Sequence, residues 1–349
     1  MNRYTIIKAD VKINKEDIFP ILKRNLEGAS TQRYEWNYEN YPYIDARCWL
    51  TKHENSNSLV GSAALFPRRV FIKGEPVYAA IAGDFAIDKK HRTFGPALKL
   101  QKEIQLQVKD TEFRFIYGIP NILSKELFLR IGYKEIGKFN RFVKILKTEY
   151  KSKRYLHTSL RYKIPSRVID FLIKNISKEK RYRKNFKYSV EMPEFFDDRF
   201  DKLWKKSSRQ FNIIGERTSN FLNWRYKQST SQDYKIFCIL ENKKDILGYI
   251  VYYFKDNMCH IVDMLFVMSE GAIDALLAKF ALFIRDHGIG SISIYYLGNK
   301  SIEMRLKKFN FYKVKKEDKN VIIYNPNYKF ETNLLDSENW HFLEGDNDI

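Results

Sequence analysis

Alternating apolar and polar positions in YTIIKA (Tyr4–Ala9) predict a strand, and Lys15 to Leu26 reads as a helix. CWLTK (Cys48–Lys52) and the long run Ser58–Ile87 supply three or four more strands, with KGEP (Lys73–Pro76) as a hairpin turn. From about Pro96 to Lys109 the pattern changes. Ala97, Leu100, Ile104 and Val108 fall on one helical face. FRFIYGI (Phe113–Ile119) is a buried strand, Ser124–Arg130 a short helix, and KEIGKFNRFVKIL returns as strands. The same succession follows later. Ser189–Met192 opens it, Phe196–Lys206 is helical, and YKIFCIL, ILGYIVYYF and MCHIVDMLFV are strands. Ala272–His287 is a helix with Ile273, Leu276, Leu277, Phe280 and Ile284 on one face, and SISIYYL (Ser291–Leu297) follows it.

These two successions share landmarks. RYEWNY (Arg33–Tyr38) matches FLNWRY (Phe221–Tyr226) as W-x-Y, and each match precedes a Gly opening an apolar run, Gly61 and Gly248. Asn121 with Ile131-Gly132-Tyr133 matches Asn299 with Phe309-Asn310-Phe311, and the offset drifts only from 188 to 178 residues. Four matches in one order predict two copies of one α/β (α+β) domain, each a mixed, mostly antiparallel sheet flanked by helices. The expected boundaries are 1–148 for the first domain, 149–187 for a linker, 188–330 for the second domain and 331–349 for an acidic tail.

Length agrees, because 349 residues exceed what one core usually organises. The three cysteines, Cys48, Cys238 and Cys259, form no C-x-x-C pair and suggest neither a disulfide framework nor a zinc cluster, and no metal site is expected. No apolar stretch reaches bilayer length and no signal peptide is visible, so a cytoplasmic soluble protein is expected. The net charge of +20 is unevenly placed: Glu331–Ile349 holds six acids and no Lys or Arg, while Arg141–Lys187 carries 16 Lys/Arg against three acids. A solvated surface accounts for this, as does an anionic partner: nucleic acid, a membrane surface touched by the helix Ser166–Lys178, or a phosphorylated substrate.

The chemistry concentrates in GDFAIDKKHRTFGPALKL (Gly83–Leu100), where a strand runs through a polar turn into a helix. Amides at the positive end of that helix suit a pyrophosphate. Arg92 adds a charged donor, and Pro96 suits a first-turn position. Arg92-Thr93-Phe94-Gly95-Pro96-Ala97, its preceding strand, Asn121 and the Ile131-Gly132-Tyr133 turn together resemble the acyl-CoA signature of the GNAT (N-acetyltransferase) superfamily. The tandem arrangement is similar to bacterial two-domain GNAT proteins of cell-envelope or polysaccharide biosynthesis. The resemblance implies an N-acyltransferase with acetyl-CoA or another acyl-CoA as donor. Pantetheine would pair with backbone near Phe85, Ala86 and Ile87, the pyrophosphate would meet the amides of Thr93, Phe94, Gly95 and Ala97, and Asn121 would border the site.

Departures from the family pattern matter. The tyrosine that often protonates the leaving thiolate is replaced by Phe128 and, in the second copy, Leu306. The second copy lacks the Arg and the glycines, and Glu270 and Asp274 would repel phosphate, so one working site is expected, in the first copy. Asp84 is the candidate base, against a turn or capping role. Trp36, Tyr38, Tyr117, Trp224 and Arg225 are candidate acceptor-binding residues, against a structural corner that locks each domain. The acceptor would be an amine: an amino sugar, a sugar nucleotide or an amino acid. Two other readings stand beside this one: a Fem-like transferase using aminoacyl-tRNA, with nucleic acid as partner, and a non-catalytic binding protein on a degenerate GNAT scaffold.

Overall fold

The computed structural model of the protein describes residues 3–109, 111–147, 179–183, 187–315, 319–326 and 332–347. Its first half runs β1 (Tyr4–Ala9), α1 (Lys15–Asn25), α2 (Thr31–Tyr34), β2 (Arg47–His53), β3 (Ser58–Ile72), β4 (Glu75–Ile87), α3 (Phe94–Gln107), β5 (Phe113–Gly118), α4 (Ile122–Arg130), β6 (Lys134–Lys138) and β7 (Asn140–Ile145). The second half runs α5 (Lys180–Arg183), β8 (Tyr188–Glu191), α6 (Asp198–Ser207), β9 (Ile213–Gly215), α7 (Ser219–Leu222), β10 (Lys235–Glu241), β11 (Asp245–Lys255), β12 (Met258–Phe266), α8 (Glu270–Asp286), β13 (Ser291–Gly298), α9 (Lys300–Lys308), β14 (Tyr312–Lys313) and β15 (Asn320–Tyr324). Then come α10 (Thr332–Leu335) and β16 (Trp340–Leu343). The turn at Lys73-Gly74 forms as read, with φ of +52° and +86°.

All described strands join one mixed sheet, and the halves trade their last strands. β7 leaves the first half and pairs with β13 and β14. In return β15 slots between β5 and β6. The strand that would close each half's sheet is thus supplied by the other half, which covers the edges of β5 and β13. A second junction comes from β9, which pairs antiparallel with the tip of β3 and parallel with β16. On the second half's sheet, α8 buries Leu276, Leu277, Phe280 and Ile284. Each such side chain contributes roughly 1.5–3 kcal/mol of hydrophobic stabilisation.

The W-x-Y landmarks share one local structure. Ser30 and Thr218 cap their short helices by accepting from the amides of Arg33 and Phe221. Each helix then widens into a π-helical turn, with bonds Asn40 N to Glu35 O (2.9 Å) and Gln228 N to Asn223 O (3.1 Å). These turns deliver Trp36 and Trp224 against each other, stacked at 5.0 Å and 20°. Trp36 Nε1 donates to Trp224 O (2.9 Å), and Trp224 Nε1 returns the bond to Trp36 O (3.3 Å). The pair is a reciprocal lock between halves. Trp36→Phe keeps one aromatic ring but removes the pyrrole ring with its N–H and leaves the buried Trp224 carbonyl unpaired. It is expected to cost about 1–3 kcal/mol in urea unfolding, and an unchanged midpoint would deny the lock.

The Asn landmarks also become legible. Asn121 and Asn299 cap α4 and α9, accepting from Ser124 N (2.9 Å) and Ser301 N (2.7 Å). Gly132 (φ +101°) and Asn310 (φ +61°) end these helices in the left-handed conformation.

The C-terminal segment is not an appended tail. β16 lies within the sheet between β9 and β13, and Asp346 is buried. The acids of residues 332–347 are spent in part on the protein's own interior: Arg68 Nη2 donates to Asp346 Oδ1 (2.9 Å) and Arg217 Nη2 to Asp346 Oδ2 (2.6 Å). Most of the basic stretch, including the expected membrane-facing helix Ser166–Lys178, lies outside the described residues.

Candidate active site

β4 and β5 run parallel and pair only between Tyr78–Ile81 and Phe113–Tyr117. Beyond that point β4 stays on β3 as far as Ile87, while β5 stays on β15. The facing edges therefore diverge and open a notch of about 190 Å³, walled by Gly83–Phe85 on one side and Gly118–Asn121 on the other. A bulge in β4 places Asp84 at φ +46°. Three hydrogen bonds hold it there: Arg33 Nη1 and Nη2 each donate to the carboxylate at 2.9 Å, and Tyr38 Oη donates at 2.7 Å. Asp84 lines the notch, but its carboxylate is occupied by a fork of donors from α2 and the π-turn. The geometry gives it the work of fixing the bulge.

At the outer end of β4, Arg92 Nε donates to Ile87 O (2.8 Å) and Nη2 reaches Asn25 Oδ1 (3.3 Å), bracing the strand-to-helix corner. The N-terminus of α3 offers fewer amides than the signature suggests. Thr93 N already bonds His91 O (2.7 Å), Pro96 has no N–H, and Ala97 N sits at the first position that an intrahelical bond satisfies. Phe94 and Gly95 remain. An ideal Cβ on Gly95 would meet no atom within 4 Å, and the residue has no left-handed φ. Neither packing nor backbone strain within the protein demands glycine at this corner, and the corner is open.

A second, larger cavity of about 690 Å³ adjoins the notch through Ile119, Pro120, Asn121 and Asn347. Phe139, Tyr295, Lys319 and Glu344 also line it, and at its rim Ile122 and Leu123 are 81% and 90% exposed. Glu344 was not singled out by the sequence because it lay in what read as a tail. Its carboxyl is pushed above the usual range by burial, opposed by Lys319, Arg141 and Arg225.

The expected acceptor-binding side chains do not face either space as free surface. Trp36, Tyr38, Tyr117, Trp224 and Arg225 are all at least 95% buried. Tyr38 stacks on Tyr34 at 4.4 Å, Tyr117 Oη donates to Asp346 O (2.8 Å), and Arg225 Nη2 donates to Asn347 O. Aromatic residues chosen for sugar stacking are packing residues here, since nothing in W-x-Y distinguishes a lock from a platform. Asn121 borders both cavities as a helix cap. Phe85 meets Phe128 edge-on at 5.8 Å, and Ala86 and Ile87 are buried with their backbone in the β3–β4 ladder. Ser124, one helical turn before Phe128, is the hydroxyl side chain among the notch-lining residues.

The second half opens the same way between β12 and β13, which pair only from Met258–Ile261 to Ser291–Ile294. There the gap is filled. β16 pairs with Tyr296–Gly298, His341 Nε2 bonds Met264 O (2.9 Å), and Asp346 enters behind it. Asp263, the counterpart of Asp84, receives Arg217 Nε at 2.8 Å. Asp274 bonds Arg305 (2.8 Å) and Lys308 (2.5 Å) rather than standing free at the helix start. Among the described residues no cluster suits a metal ion, and no helix is long and apolar enough to cross a membrane.

This large mixed sheet flanked by helices matches the fold of solved GCN5-related N-acetyltransferases. The chain is similar to a protein of Enterococcus faecalis described as a probable N-acyltransferase, at 13% identity and TM-score 0.65 over 93% of this chain and 73% of that one. It is similar to a GCN5-related N-acetyltransferase from Anabaena variabilis, at 14% identity and TM-score 0.63, with the same coverage. It is also similar to Saccharomyces cerevisiae N-myristoyltransferase with bound myristoyl-CoA, at 13% identity and TM-score 0.58, over 93% and 79%. No protein-family model matches the chain, and no curated protein does.

Proposed function

We propose that the protein is a tandem-domain N-acyltransferase that takes its acyl group from acyl-CoA at one site, the β4–β5 notch. The observation that supports this most directly is the open notch along β4, the strand that runs on to the corner with a glycine the protein's own packing does not require, with its second-half counterpart filled by β16. The unpaired edge of β4 beyond Ile81 suits the amides of a pantetheine arm. The Phe94 and Gly95 amides and Arg92 suit a diphosphate. Acetyl-CoA is the first donor to test.

The acceptor amine would enter from the cavity that holds Glu344. An ammonium is no nucleophile, so a base must take its proton, and Glu344 supplies a carboxylate there. Ser124, one turn before Phe128 and bonded through its hydroxyl to Asn121, would relay to the departing thiolate the proton that the attacking nitrogen gives up as the amide forms. The amine attacks the thioester carbonyl, the C–N bond forms, the C–S bond breaks, and the amide and free thiol leave.

Gly95→Asp tests the donor site. The new side chain points into open space, so folding is unaffected while its charge opposes the diphosphate. Calorimetry with acetyl-CoA should show at least tenfold weaker binding than wild type. Equal heats would remove this corner from the site.

A further inference from the structure

The cavity of about 690 Å³ beside the notch has walls of two kinds. Ile122, Leu123, Phe139 and Tyr295 are among its apolar lining, while Lys319 and Glu344 bring opposite charges to the same space. Asn121 caps α4 by accepting from Ser124 N and from Ser124 Oγ. The helix turns Leu127 and Phe128 to the interior and leaves Ile122 and Leu123, large apolar side chains, exposed at the cavity mouth. Apolar side chains gathered around a concave opening with a few polar groups are the usual make-up of a small-molecule site.

Elsewhere in the lining, the Tyr295 ring stacks on Phe139 at 5.2 Å and 28°, and Lys319 Nζ lies 4.4 Å from the Tyr295 ring centre. The Lys319 carbonyl accepts from Phe139 N (2.8 Å), which fixes the lysine's backbone just before β15. Arg141, Arg225 and Lys319 all act on the Glu344 carboxylate. Arg141 donates to Ser293 Oγ (2.9 Å) and Arg225 to Asn347 O, while Lys319 lines the cavity itself.

These walls discriminate among amines. An amino sugar carries a hydroxyl on nearly every carbon, and each one taken from water needs a partner. The side chains of Ile122, Leu123 and Phe139 offer none. A sugar nucleotide adds a diphosphate, which meets Lys319 but also the like charge of Glu344. A simple alkyl amine fills the apolar side and leaves Lys319 unused. An α-amino acid with an apolar side chain uses every wall.

Taking the notch as the acyl-transfer site, a reading on which this assignment rests, we propose that the acceptor is a free α-amino acid with an apolar or aromatic side chain. Glu344 receives its ammonium, Lys319 pairs with its carboxylate, and its side chain lies against Ile122, Leu123 and Phe139. The α-nitrogen bonds to the acyl carbon as the bond from that carbon to sulfur breaks. Of the two protons the nitrogen loses, one goes to Glu344 and one to the sulfur, so the products are an N-acyl amino acid and the free thiol of CoA.

Binding is tested first, on the full chain and without donor. Calorimetry should detect L-phenylalanine, with 2-phenylethylamine, which lacks the carboxylate, bound about tenfold more weakly. Glucosamine should give no heat. Lys319→Gln should weaken phenylalanine about tenfold and leave 2-phenylethylamine unchanged, a split that damage to the fold would not produce. Leu123→Asp changes a side chain that is 90% exposed, so folding is unaffected, and it should weaken both aromatic ligands alike. Transfer from acetyl-CoA is then followed by mass spectrometry, with N-acetylphenylalanine as the expected product. This binding pattern without any transfer would uphold the ligand class and count against the acyltransferase reading. No binding of phenylalanine, equal binding of phenylalanine and 2-phenylethylamine, an unchanged affinity in Lys319→Gln, or transfer to glucosamine in preference to phenylalanine would overturn the proposal.

Discussion

Glu344→Gln is expected to lower kcat/KM for the amine acceptor by about 10²- to 10⁴-fold, the usual contribution of a positioned base. Acetyl-CoA binding should be unchanged, because Glu344 lines the larger cavity and not the notch. Wild-type activity should fall on acidification through a carboxyl pKa above the ordinary glutamate range, the direction that burial gives Glu344. In the Gln variant that acid limb disappears. Stability separates this from damage to the fold. A carboxyl with a raised folded-state pKa opposes folding above its unfolded pKa, since burial disfavours its charged form. Neutral Gln removes that cost, so the variant should melt at or above the wild-type temperature. A stable variant with wild-type rate would remove Glu344 from the chemistry.

How much of this could be read in the sequence depends on the range of the interaction. Elements set by local periodicity were legible: the helix carrying Ala97, Leu100 and Ile104 forms at 94–107 with Val108 as its C-cap, and the hairpin turns at Lys73-Gly74. The landmarks recurring at offsets of 178 and 188 were legible as matches and illegible as devices. Asn121, Asn299, Gly132 and Asn310 are capping residues, a local requirement, so their recurrence follows from helices ending alike. Trp36 and Trp224 could be found as a pair but not as partners, because stacking across halves leaves no mark on spacing. The strand exchange was invisible for a similar reason: β7 and β15 would look the same whichever sheet received them. Glu344 and Asp346 were hidden by composition. A segment with six acids and no base reads as solvated tail until the buried arginines that neutralise it are known. Asp84 shows the converse. It was read as the start of a strand, whereas it sits at a bulge near the end of β4, and Arg33 and Tyr38, which occupy its oxygens, come from a helix and its π-turn some fifty residues earlier.

Asp346→Asn is expected to cost about 3–5 kcal/mol, the penalty for removing one partner of a buried ion pair. The carboxylate accepts from Arg68, Arg217 and the Leu343 amide, and the substitution leaves buried Arg68 with a neutral partner and Arg217 with Asp263 as its carboxylate. Space offers no relief: a Cβ on neighbouring Gly215 would lie 2.4 Å from Asp346 Oδ1 and 2.5 Å from Arg68 Nη2, so the cluster is packed to contact. The loss should appear in urea unfolding as a lower midpoint at unchanged slope. Acid adds a second signature. Arg217 and Arg68 hold the Asp346 carboxyl below the usual range against the opposing effect of burial. Its contribution is therefore complete above the unfolded pKa and lost as pH falls through the folded one. Wild type should lose stability in that window, and Asp346→Asn should lose correspondingly less. Because this residue holds the segment that fills the second gap, unfolding of residues 340–347 before the rest would show as early hydrogen exchange in β16 alone. A variant with wild-type midpoint and protected β16 amides would mean that the two arginines find other partners, and that the filled second gap does not depend on this carboxylate.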